Sequence, residues 1–182
     1  MERNKKVLKN QLQEFSKNEL IDIVMKLSAR KEIFDYVRVH FTEKGFGEQS
    51  LFDDTLEEID ELLHKAYKGK TPQHQACNKI KALTKRIKEF TDISKNKKLE
   101  ADLLQHILTH FFDYNIRFWA RDHASFDYKV ALLLKRFLKI ITQQLHPDYL
   151  IDYIDIANMF LKKIHYSSNH LQTVYDLPHE IE

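Results

Sequence analysis

Apolar residues recur at spacings of three and four along almost the whole chain, which is the signature of helices that each bury one face. Leu20, Ile21, Ile23, Val24 and Leu27 predict a helix over 17–28, and Ile33, Phe34, Val37 and Phe41 predict the next. Ser16-Lys17-Asn18-Glu19 reads as a capping box that restarts the chain after a first short helix. Ser50 is placed as the cap of a helix whose stripe is Phe52, Leu56, Ile59, Leu63, Ala66 and Tyr67, closed by Gly69. Thr71-Pro72 starts another, with Ala76, Ile80, Leu83, Ile87 and Phe90 on one side. Two bulky segments over 98–119 and 124–145 are apolar over wide arcs and should form the centre. Pro147 opens a helix with Leu150, Tyr153, Ile154, Ala157, Phe160, Leu161 and Ile164 inward, and a short helix is expected within 169–175.

Only three glycines and three prolines occur in 182 residues, too few for the reversals of a many-stranded protein. The fold class is therefore all-α, with about eight or nine helices. Short joining segments predict antiparallel helical hairpins, arranged either as a closed bundle or as an irregular right-handed stack like tetratricopeptide or HEAT arrays. No fixed-period signature selects the stack. The length suits a single domain over 1–182, and Gly45 and Gly47 mark a hinge at 45–47 that would set off 1–48 as a three-helix subdomain.

Charge changes this picture locally, since the formal net charge is only +2. Residues 51–64 carry six acids and no lysine or arginine, whereas 65–98 carry eleven bases and two acids. Lys79, Lys81, Lys85, Arg86 and Lys88 on one helix could neutralise phosphates, so nucleic-acid binding through 65–98 is one functional expectation. No aromatic platform interleaves those bases. Arg117, Arg121, Asp122 and His123 cluster where two central helices reverse and form a second binding candidate, with helix capping as the competing role.

Asp102, His106, His110 and Asp113 share one stripe of a helix at metal-compatible spacings. Opposite the apolar arc and beside Arg117, the same stripe reads better as a solvated face, so no metal and no cofactor is assigned. Catalytic glycine loops and nucleophile turns are absent, and Cys77 with His74 is the nearest nucleophile and base pair. Cys77 sits well inside its helix and reads as packing; no catalytic residue is assigned. A single cysteine suits a reducing compartment, and neither a signal peptide nor a membrane span is recognised, which predicts a cytoplasmic protein.

The segment Leu12, Phe15-Ser16-Lys17-Asn18-Glu19-Leu20-Ile21 and Leu27 to Val37, with Glu100-Ala101-Asp102-Leu103-Leu104 and Phe126 to Leu138, resembles an uncharacterised family of small bacterial all-helical proteins, a domain of unknown function. Ser167-Ser168-Asn169-His170 depart from the glycine-bearing aromatic stretch of that family. The resemblance implies an all-α fold and supplies no catalytic residue. The leading functional expectation is a non-catalytic helical module that binds a protein partner, with homo-oligomerisation open. Nucleic-acid binding is the alternative, and an enzyme of unidentified class comes third.

Overall fold

The computed structural model describes residues 2–41, 46–114, 124–168 and 171–182. They are all-helical, with no strand among the described residues. The helices are α1 (Glu2–Leu12), α2 (Lys17–Leu27), α3 (Lys31–Phe41), α4 (Phe46–His64), α5 (Pro72–Ile93), α6 (Lys97–Tyr114), α7 (Ala124–Gln143), α8 (Ile154–Ser168) and α9 (Gln172–Tyr175). A 3₁₀-helix, Pro147–Asp152, precedes α8. Among the described residues no helix is long and apolar enough to cross a membrane.

The chain divides into two compact units, Met1–Leu51 and Phe52–Glu182, with the division inside α4. Phe46 and Gly47 open α4, while Gly45 lies outside the described residues. In the first unit the capping box at Ser16 forms as expected. The Ser16 hydroxyl accepts from the Glu19 amide at 3.3 Å, and the Glu19 carboxylate accepts from the Ser16 amide at 2.8 Å. The Ser16 hydroxyl also donates to the Glu19 carboxylate at 2.7 Å, and this bond first, then that from the Ser16 amide, holds the Glu19 carboxyl below the usual range. Ser50 is not a cap. It lies within α4, which starts four residues earlier, and its hydroxyl accepts from Arg38 at 3.0 Å while Arg38 also holds the buried Asp35 at 2.9 Å.

In the second unit the principal packed pairs are neighbours or next neighbours in sequence: α5 with α6 and α7, α6 with α7 and α8, and α7 with α8 and α9. Hairpins laid in series produce this pattern. Its centre is α7, where Phe126, Val130, Ala131, Leu134, Phe137 and Ile141 are buried together with Leu133, Leu138 and Ile140. Burial of each large side chain is worth about 1.5–3 kcal/mol, an upper bound because the unfolded chain is itself partly collapsed. Rings interlock across the helices: Phe112 stacks on Phe160 at 4.8 Å, and Phe137 meets Tyr153 edge-on at 5.8 Å.

Pro147 does start a helical segment, but as a 3₁₀ turn rather than the first turn of α8. The Tyr153 amide bonds back only three residues, to the Leu150 carbonyl, and its hydroxyl donates to Asp102 on α6 at 2.5 Å. That anchor fixes the joint between the two helical pieces. Beyond α9 the chain returns along α8. Asn158 donates to the Ile181 carbonyl at 3.0 Å and accepts from the Ile181 amide at 2.9 Å, while Leu177 is buried.

Candidate functional site

Helices α1 to α3 keep an apolar stripe that their own unit does not bury. On these three helices no described apolar side chain is buried, and α2 has no buried residue at all. Among the described residues, ten of the sixteen large hydrophobic side chains left exposed belong to α1–α3 and their turns. They include Ile21, Val24 and Leu27, with Met25 67% exposed and Phe41 73% exposed. The spacing expected to face a core is present, but in the first unit this face is open. Clusters of that kind mark interaction surfaces far more often than scattered single residues do.

The basic helix distributes its charges differently from a phosphate-binding face. Arg86 is 6% exposed and points to α4, donating to Thr55 at 2.7 Å and pairing with Glu58 and, at 3.8 Å, with Glu89. Lys79 is half-buried and donates to the Leu63 carbonyl, and burial pushes its ammonium below the ordinary lysine value. Lys85 pairs with Glu89 at 3.6 Å and Lys88 with Asp92 at 2.5 Å. Lys81 is exposed. Of the five candidates, two are thus built into contacts inside the second unit and two have acidic neighbours one turn on. The acidic run in α4 supplies Glu58 for Arg86, so the charge contrast between 51–64 and 65–98 is partly an interhelix pairing.

Asp102, His106, His110 and Asp113 do share one side of α6, yet each takes a different partner. Asp102 accepts from Tyr153 and, at 3.0 Å, from Lys98; His106 meets Asp60 at 2.6 Å; Asp113 meets Lys163 at 3.3 Å. The His110 ring lies 5.9 Å from that of His64 in an edge-on contact. Among the described residues, no three histidine, cysteine, aspartate or glutamate side chains converge on a point where they could hold a metal ion. The reading as a simple solvated face needs correction, because the stripe is a polar seam against α4 and α8. His110 is kept below the ordinary imidazole value by burial first, then by the nearby positive charge of Lys79, His64 and His106. Asp60, His64 and Lys163 were not singled out from the sequence. Asp60 and His64 are spaced i and i+4 on α4, a detectable signal, but only the pairing of α4 with α6 gives it meaning.

Arg117, Arg121, Asp122 and His123 lie outside the described residues. Cys77 is a free, partly buried thiol on α5, and burial raises its pKa, the reverse of an activated nucleophile. No family model, curated protein or solved structure matches the chain, so the resemblance to a family of unknown function rests on the sequence segments alone.

Proposed function

We propose that the protein is a non-catalytic helical interaction module that docks an amphipathic helix of a protein partner on the open faces of α2 and α3. One observation carries the reading: the periodic apolar residues of these helices stay exposed within their own unit, whereas the same pattern on α5 to α8 is buried. Ile21, Val24 and Met25 form a ridge along an 11-residue helix. Such a helix is about 16 Å long, enough to engage roughly three turns of a partner helix. The lone free cysteine is compatible with a cytoplasmic setting.

Nucleic-acid binding through 65–98 receives less support, since Arg86 and Lys79 are engaged with α4. The discriminating experiment compares proteins retained by the native chain with those retained by an Ile21→Lys, Met25→Glu double variant of unchanged helix content. Loss of a specific retained protein, by tenfold or more, supports the reading. Retention of the same set by both chains contradicts it, and a change in sedimentation of the isolated protein would identify a second copy as the occupant.

A further inference from the structure

Where the end of α4 turns into α5, the second unit forms a half-open cavity of about 210 Å³. Its walls include Lys65, Tyr67, Gln75, Ala76, Lys79 and Phe111, and no acidic side chain is among the described residues that line it. The segment between α4 and α5 is pinned in place. Gln75 donates to the Gly69 carbonyl at 3.1 Å and Asn78 to the Lys68 carbonyl at 3.0 Å. Gly69 packs so closely on α5 that an added Cβ would come within 3.0 Å of Gln75. The cavity is therefore preformed, which removes much of the ordering cost of filling it.

Its polar groups are donors. The Tyr67 hydroxyl is buried and has no hydrogen-bond partner among the described residues. An unmet buried hydroxyl costs roughly 1–3 kcal/mol, so a group that accepts from it gains correspondingly. The Lys79 ammonium has one carbonyl acceptor, that of Leu63, and capacity for two more. Burial disfavours the charge on Lys79 and on the neighbouring His110, and Lys79 itself adds to the lowering at His110. An anion in the cavity would favour the charged form of the Lys79 ammonium.

We propose that this cavity binds a small oxyanion, the carboxylate or phosphate group of a small molecule, with the Lys79 ammonium and the Tyr67 hydroxyl as its donors and Phe111 as an apolar wall. Size limits the class. A water occupies about 30 Å³ of liquid, so the volume suits inorganic phosphate or a short organic acid, and is below the range of about 300–1,000 Å³ typical for nucleotide- or drug-sized ligands. The site belongs to the second unit and is independent of the α2 and α3 faces.

The test is a titration of the full-length protein, labelled with ¹⁵N, by inorganic phosphate and separately by acetate, with chloride at matched ionic strength as the control. Saturable shifts of the Tyr67, Ala76 and Lys79 amides in either arm support the site, and the arm that saturates identifies the anion. Tyr67→Phe, which keeps the ring, should weaken binding by about threefold to tenfold, in line with the loss of one hydrogen bond to a charged group. Lys79→Met should abolish it. Shifts no larger than those with chloride, or shifts unchanged in Tyr67→Phe and Lys79→Met, would overturn the proposal.

Discussion

Arg86 illustrates how a residue's type and its environment separate. In the sequence it belongs to a run of bases; in the structure it is a buried cation whose guanidinium joins α5 to Thr55 and Glu58 of α4. Removing one partner of a buried pair leaves the other uncompensated, which costs more than the pair contributes. Arg86→Ala should therefore lower the unfolding free energy of the protein by about 3 kcal/mol, measured by urea denaturation. A change under about 0.5 kcal/mol, the size usual for surface positions, would show that the pairing is not maintained.

His110 gives the second residue-scale expectation. Its folded-state pKa lies below the ordinary 6.5, so between the two values the unfolded chain binds more protons than the folded one. Its contribution is at full strength above pH 6.5 and is lost as pH falls through the window below that value. His110→Gln should flatten that part of the stability profile. An identical slope for native and variant protein would exclude this origin.

At the scale of elements, much was legible because the relevant signals are local. The Ser16 to Glu19 capping box and the Thr71-Pro72 start lie within a turn of the backbone groups they satisfy. The apolar arcs of α6 and α7 likewise identify the centre. Ser50 misled because a serine placed before an apolar stripe resembles a cap, whereas α4 starts at Phe46 and uses Ser50 as an acceptor for Arg38. The start of Pro147–Asp152 is locally marked, by the N1 proline and by the His146 ring that accepts from the Asp148 amide, but the Tyr153 to Asp102 bond at its end joins residues 51 apart and has no local signal. The segment after α9 is held in the same long-range way, by Asn158. Asn158→Ala should raise hydrogen exchange at the Ile181 amide by tenfold or more while leaving the amides of α7 protected. Equal protection in both proteins would show that Leu177 and the His165 contacts with Pro178 and His179 retain the segment without Asn158.

For the whole molecule, the helical class followed from composition and periodicity, but the use of each apolar face did not. A stripe such as Ile21, Val24 and Leu27 reads as core by spacing alone, and only three-dimensional exposure separates it from Ile80, Leu83 and Ile87. The same limit applied to the charged stripes: Asp60 and His106 meet across 46 positions, so their pairing required the packing of α4 with α6. The division at Leu51 and Phe52 assigns most of the open apolar residues to the first unit and most of the buried core to the second. This division of labour is the basis for regarding the first unit as the part that engages a partner.

The most direct measurement is site-specific photo-crosslinking in the cells that make the protein, with the crosslinker placed at Met25, at Phe41 or, as a control, at the exposed Lys139 of α7. One discrete protein adduct is expected from Met25 and Phe41 and none from Lys139. No adduct at the first two positions, or the same adducts at all three, would contradict partner docking by the first unit.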